Sequence, residues 1–167
     1  NCTYESYAAL SPSGNYDAVK LTATGSTNVH HRIQQSLGDL SISGSTTDLY
    51  SISVYLKKGT SDLAFFFLYD GNSAKASTVV NLTNGTVTNT SGSNHSITDV
   101  GNGWYKVQLT SSEIIGTNAS ILVSLLGGTS NTQSFVADGE SIFVWGLQVE
   151  FADASTEFIP STDTYTN

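Results

Sequence analysis

Asp48-Leu49-Tyr50-Ser51-Ile52-Ser53-Val54-Tyr55-Leu56-Lys57-Lys58 decides the fold class. Tyr50, Ile52, Val54 and Leu56 alternate with Ser51, Ser53, Tyr55 and Lys57, a period of two. Successive side chains of an extended strand point to opposite faces, so this stretch predicts a half-buried antiparallel strand. Further strands are expected over Ala18–Thr24, Asn28–Gln35, Asp62–Tyr69, Ala76–Leu82, Gly103–Ser111, Ser120–Leu126 and Ser141–Phe151. β-Branched and aromatic residues concentrate in them, as a pleated surface favours. Between them stand turn signals: Pro12-Ser13-Gly14-Asn15, Lys58-Gly59-Thr60, Asp70-Gly71-Asn72, Asn84-Gly85, Gly101-Asn102-Gly103, Gly127-Gly128 and Asp138-Gly139. Asp-Gly and Asn-Gly supply the positive φ angles of tight hairpins. Eight or so strands punctuated this way predict an all-β, two-sheet antiparallel sandwich. The only helical expectation is a short turn near Ser111–Ile115. Thr88–Ser96 reads as a loop. Residues 151–167 lose alternation and read as an extended C-terminal tail or linker, with Pro160 stopping any strand there.

The 167 residues are expected to form one domain, long enough to bury a core without staples. Cys2 is the sole cysteine, so neither an intrachain disulfide nor a thiolate metal site can form from this sequence. Net charge is −8 with only 12% charged residues. Such a surface repels phosphate backbones, which argues against nucleic-acid partners. No apolar run approaches the roughly 20 residues that span a bilayer. The opening Asn1 is read as the start of a fragment of a longer protein. Ser, Thr and Asn fill roughly a third of the chain, well above ordinary usage. A polar, weakly charged surface of this kind suits an extracellular or virion setting. The same bias creates sequons at Asn1, Asn81, Asn84, Asn89, Asn94 and Asn118, a number expected by chance in such a composition.

Two further stretches narrow the fold. Asp99-Val-Gly-Asn-Gly-Trp-Tyr-Lys-Val-Gln-Leu109 and Ile142-Phe-Val-Trp-Gly-Leu-Gln-Val-Glu150 each couple a small-residue signal to a tryptophan-bearing strand. With the tail Ala154-Ser155-Thr156-Glu157-Phe158-Ile159-Pro160-Ser161, they resemble a family of jelly-roll sandwiches. That family recurs in phage tail fibres, tail spikes and virion surface proteins, and is similar to lectin-like carbohydrate-binding modules. Ser11-Pro12-Ser13-Gly14 with Asp17–Leu21, His31-Arg32-Ile33-Gln34-Gln35, and Ser51–Gly59 precede them in the family's order. Members commonly carry a strand upstream of the opening turn. Here either Thr3–Leu10 is that strand, or it lies outside this sequence. The resemblance implies a jelly roll of concanavalin or galactose-binding type on a virion surface or in the extracellular space. It does not imply a particular sugar, because specificity sits in variable loops.

Catalysis finds little support. Glycoside hydrolysis needs two carboxylates facing one cleft, roughly 5–10 Å apart. Asp39, Asp48, Asp62, Asp70, Asp99, Asp138 and Asp153 fall mostly in turns or at strand ends, and Glu113 and Glu150 stand alone. Nucleophile-elbow, phosphate-loop and His-Glu metal motifs are missing from the sequence. The expectation is a non-enzymatic domain. His30 and His31 point to opposite faces if they share a strand, so they cannot chelate one ion together; His31, in register with Val29 and Ile33, reads as a core histidine. A structural calcium would need six or more hard oxygens. Asp17, Asp138, Glu140 and Glu150 are the candidates, provided first and last strands pair.

Sugar binding remains. Pyranose rings stack their C–H face on aromatic rings, and planar side chains bridge their hydroxyls. With Tyr105, Val107 and Leu109 inward, Trp104, Lys106 and Gln108 face outward. Tyr55 on one neighbour, and His30, Arg32 and Gln34 on another, would complete a glycan platform if these strands share a sheet. Trp145, in phase with Phe143 and Leu147, reads as core. Phe65-Phe66-Phe67 makes its strand apolar on both faces, so its second face needs a cover.

The leading expectation is a virion domain, on a tail fibre, spike or capsid decoration, that binds host surface glycans and contacts other virion proteins. A homo-oligomer is expected, a trimer if fibre-borne. One rival is a structural decoration or assembly module without a sugar. The other is a carbohydrate-binding module of a secreted polysaccharide-degrading enzyme.

Overall fold

A computed structural model describes residues 1–38, 50–91, 94–111, 118–127, 132–152 and 154–159. Asp39, Asp48, Leu49, Glu113, Asp153, Pro160, the second glycine of Gly127-Gly128 and most of the Ser111–Ile115 turn lie outside these residues. The described residues are all-β, arranged as two antiparallel sheets packed face to face.

The strands are β1 (Cys2–Leu10), β2 (Tyr16–Ala23), β3 (Val29–His30), β4 (Arg32–Gly38), β5 (Tyr50–Lys58), β6 (Leu63–Tyr69) and β7 (Ala74–Asn81). They continue as β8 (Thr86–Ser91), β9 (Asn94–Gly101), β10 (Trp104–Ser111), β11 (Ala119–Leu125), β12 (Ser134–Phe135) and β13 (Ser141–Glu150). One sheet runs β1-β2-β13-β5-β10-β9, the other β4-β11-β6-β7-β8, and β3 pairs with β12 alone. Eight strands nest as antiparallel pairs, each joining an early strand to a late one. Val19 of β2 faces Val144 of β13, Ile33 of β4 faces Val123 of β11, Val54 of β5 faces Val107 of β10, and Phe66 of β6 faces Thr78 of β7.

The alternation read from the sequence builds the core between the sheets. Tyr50, Ile52, Val54 and Leu56 meet Val107 and Leu109 from one sheet and Phe66, Leu68, Val80, Ile121, Val123 and Leu125 from the other. Turn chemistry agrees. Asn102 and Gly103 hold φ of 53° and 78°, both positive, as a type I′ hairpin requires. The Asp70 carboxylate accepts the amides of Asn72 and Ser73, each at 2.8 Å, closing the β6–β7 turn.

Three expectations are corrected. Thr88–Ser96 is not simply a loop: β8 and β9 enter and leave it as edge strands, held by hairpins to β7 and β10 rather than by apolar alternation. Asn28–Gln35 is two strands broken at His31, whose buried ring lies between the Asn1 and Phe135 carbonyls. Of the two alternatives for the upstream strand, Thr3–Leu10 is the one observed: it forms β1, paired with β2.

The third correction concerns Trp145. β13 carries one extra residue between Trp145, opposite Tyr55, and Gln148, opposite Ser53, with Gly146 at φ +61°. Such a bulge reverses the facing of everything after it. Phe143 and Trp145 therefore stay on the outer face, while Leu147 and Val149 turn into the core. Trp145 packs outside the sandwich, not within it.

Candidate functional site

Trp104 does face outward, as its register predicts, but it is 1% exposed. Its indole N–H donates to the Leu10 carbonyl at 3.0 Å. Around it a second apolar cluster occupies the outer face of the six-stranded sheet: Ala18, Tyr55 and Trp104, with Ala9, Phe143, Trp145 and Phe158 against them. Tyr55, Trp145 and Phe158 interlock edge-to-face, with ring centroids 5.1 and 4.6 Å apart. Even Ser51 and Ser53, expected at the surface, are buried. β5 is covered on both faces.

Much of this cover is the chain's own tail. Lys106 Nζ donates to the carbonyls of Thr156 (2.5 Å) and Ser155 (3.4 Å). Gln108 Oε1 accepts from the Ser155 amide and hydroxyl at 3.1 and 2.8 Å. The Ile159 amide donates to Gln148 Oε1 at 2.8 Å. Glu150 accepts from the Thr156 amide at 2.8 Å and its hydroxyl at 2.9 Å. Burial raises the Tyr55 phenol above its ordinary pKa, outweighing a hydrogen bond from the Phe158 backbone, and the negative charge of Glu157 adds to the rise. The donors expected to meet a sugar hold the tail instead.

The other half of the expected platform lies elsewhere. His30, Arg32 and Gln34 are exposed, but β3 and β4 belong outside the six-stranded sheet. They do not join Trp104, Tyr55, Lys106 and Gln108 on one surface. The calcium candidates separate too. β2 and β13 do pair, but Ser141 opposite Thr22 and Val144 opposite Val19 put Asp17 at one end and Asp138 and Glu140 at the other. Glu140 accepts the Asp138 amide, Asp17 accepts the Ser13 hydroxyl, and Glu150 is committed to the tail. Among the described residues no three metal-ligating side chains converge.

An open concavity exists at the sandwich edge, between β4 and the β2–β13 pair. It measures about 510 Å³ and is lined by Asp17, Val19, Ile33, Gln34, Gln35, Val144, Trp145, Gly146, Leu147 and Phe158. Gly146 and Leu147 of the β13 bulge contribute to this lining. Apolar side chains form the floor. Asp17, Gln34 and Gln35 supply polar groups on the wall, with Gln34 Nε2 fixed by the Ser120 hydroxyl at 2.9 Å. Trp145 and Phe158 also line a smaller hollow of about 340 Å³, beside Tyr55 and Glu157 on the outer face. An apolar cleft with a few convergent polar groups is the usual form of a small-ligand site.

Two of the sequence candidates, Gln34 and Asp17, thus meet here, though proposed for different chemistries. Gln35 and Phe158 were not anticipated. The Gln34-Gln35 doublet was a signal for the first, since adjacent strand residues can line both lips of a sheet edge. No protein-family model matches the chain, and neither does any curated protein sequence.

Proposed function

We propose that this chain is a non-enzymatic jelly-roll domain of a phage or phage-like virion surface, with a lectin-like cleft for host glycans. The observation that carries the binding reading is the edge cleft. Trp145 and Phe158 offer aromatic rim for a sugar's C–H face, and Asp17, Gln34 and Gln35 offer the planar acceptors and donors that bridge hydroxyls. The jelly-roll reading is supported by the nested pairing of β2 with β13, β4 with β11, β5 with β10 and β6 with β7. The polar, weakly charged composition supports the extracellular setting. Binding at one cleft would be weak, and many copies on a particle would multiply it.

The test is a glycan array followed by calorimetric titration of the hits. Asp17→Ala combined with Gln35→Ala should abolish binding without lowering the melting temperature, because both side chains are exposed. Absence of binding to any glycan at millimolar concentration sinks this function.

One observation favours a structural virion module. Tyr4, Tyr7 and Tyr16 are 73, 75 and 67% exposed on and beside β1, the edge strand of the six-stranded sheet. An open edge with aromatic side chains is suited to another chain. Concentration-dependent sedimentation that disappears in a Tyr4→Ser, Tyr7→Ser variant would favour that module. The Phe65–Phe67 strand is less open than its sequence suggests: Phe67 is 5% exposed and Phe65 half-buried.

A further inference from the structure

We propose that Arg32 and the outer aromatic side chains of β6 form a second saccharide site, selective for a sugar that carries a carboxylate. Arg32, Phe65, Phe67, Tyr69, Ala74 and Gln133 line a concavity of about 300 Å³ on the outer face of the five-stranded sheet. That is the lower end of ligand-site volumes, about 300–1,000 Å³, and suits one ring rather than a chain of them. This face is distinct from the edge cleft, and the inference does not depend on the cleft being occupied.

Register explains why these residues meet. Phe65, Phe67 and Tyr69 alternate outward along β6, opposite Ser124, Leu122 and Ser120 of β11. Ser124 in turn lies opposite Arg32 of β4. The small serine between them leaves room for the long arginine stem to lie toward the aromatic row. Phe65 and Phe67 hold their rings 4.7 Å apart, tilted by 32°. Phe65, half-buried, offers its ring to a sugar's C–H face, and the buried Phe67 backs it and fixes its position.

Charge selects the ligand. Arg32 is the only arginine in a chain of net charge −8. Lys75, the other cation on this sheet's described strands, is paired with Asp70 at 3.2 Å. Among the described residues Arg32 makes no ion pair, and its side chain is exposed. A planar guanidinium offers two parallel N–H donors, which match the two oxygens of a carboxylate. Gln133 adds a donor and an acceptor for hydroxyls on the same ring.

The backbone carrying these groups is fixed before any ligand arrives. The Leu125 amide, at 2.8 Å, and the Ser124 hydroxyl, at 3.3 Å, both donate to the His31 carbonyl. Cys2 Sγ donates to the Arg32 carbonyl at 3.2 Å. His31 Nε2 lies 2.9 Å from the Phe135 carbonyl, and its ring stacks near Phe135 at 4.5 Å. His31 therefore ties the Arg32 strand to the segment that carries Gln133. It is a positioning residue, with no contact to the ligand itself.

Nuclear magnetic resonance titration with methyl β-glucuronide, methyl β-glucoside and methyl β-glucoside 6-sulfate tests the proposal. The glucuronide should shift amides of residues 65–69 and 133 with millimolar affinity, at least about tenfold more tightly than the uncharged glucoside, one charge-assisted pair being worth that much. Arg32→Gln should erase the difference between the two and leave the melting temperature unchanged. Added salt should weaken glucuronide binding, since the pair is exposed. Equal affinity for glucuronide and glucoside overturns the proposal. So does sulfate binding as tight as carboxylate binding, or glucuronide shifts confined to Gln35 and Trp145. That last outcome would leave the edge cleft standing, and shifts at residues 65–69 alone would leave this site standing without the cleft.

Discussion

Replacing Trp104 with alanine should damage the fold, not a binding surface. The indole is 1% exposed and packs with Tyr55 and Ala18, so its removal leaves a cavity the surrounding strands cannot close. Truncating a buried tryptophan costs about 3–5 kcal/mol. The lost hydrogen bond to the Leu10 carbonyl adds little, because Leu10 is 45% exposed and water can replace the donor. For a domain of this size each kcal/mol lowers the melting temperature by about 2–4 °C, giving a fall of roughly 6–20 °C. Trp104→Phe keeps most of the ring volume and should lose only about 1–2 kcal/mol. Urea denaturation should show the midpoint falling with an unchanged slope, the mark of lost stability alone. The folded fraction of Trp104→Phe should bind glycans as the parent does. A melting temperature within about 2 °C of the parent for Trp104→Ala, together with lost glycan binding, refutes the reasoning, because it places the indole at the surface.

Acid should release the tail. Burial alone would raise the Glu150 carboxyl, but hydrogen bonds from Gln148 and Thr156, with the nearby Lys106 charge, hold it below the ordinary glutamate value of 4.5. A depressed carboxylate contributes stability above its unfolded pKa and loses it as pH falls through the folded one. Trp145 emission and tail proteolysis should therefore change below about pH 4.5, and Glu150→Gln should remove that step. His31→Ala should cost about 2–4 kcal/mol, from a buried cavity plus the loss of the ring's hydrogen bonding between the Asn1 and Phe135 carbonyls, measured by urea midpoint. Gly85→Ala drives a Cβ into the Tyr105 ring at φ +65°, so a loss of about 1–3 kcal/mol is expected in the same assay.

The strands with alternating apolar side chains were legible because burial between the sheets selects period two directly. Val54, Val107 and Val123 meet in one core for that reason. β9 was not legible as a strand in its first residues, since Asn94, His95 and Ser96 are exposed and only the Asn102-Gly103 turn pairs them with β10. Trp145 was misplaced because a bulge changes the facing of side chains without changing their composition. The outer-face cover was hidden for a different reason. Ser51 and Ser53 look like solvent-facing residues, yet as small side chains they permit close cover on that face, and the same tail claims Lys106 and Gln108 by main-chain hydrogen bonds that composition does not encode. Gln34 and Asp17 were picked out individually; their meeting at one cleft depended on which edges of two sheets lie together.

Two tryptophans give two indole resonances, and following both through a glycan titration tests the division of labour directly. The Trp104 indole N–H, bonded to Leu10, should exchange slowly with solvent and keep its position throughout. The Trp145 resonance should move in step with the amides of Gln34 and Gln35 as the cleft fills. A Trp104 signal that exchanges at once and shifts with added sugar, while Trp145 stays still, contradicts the account.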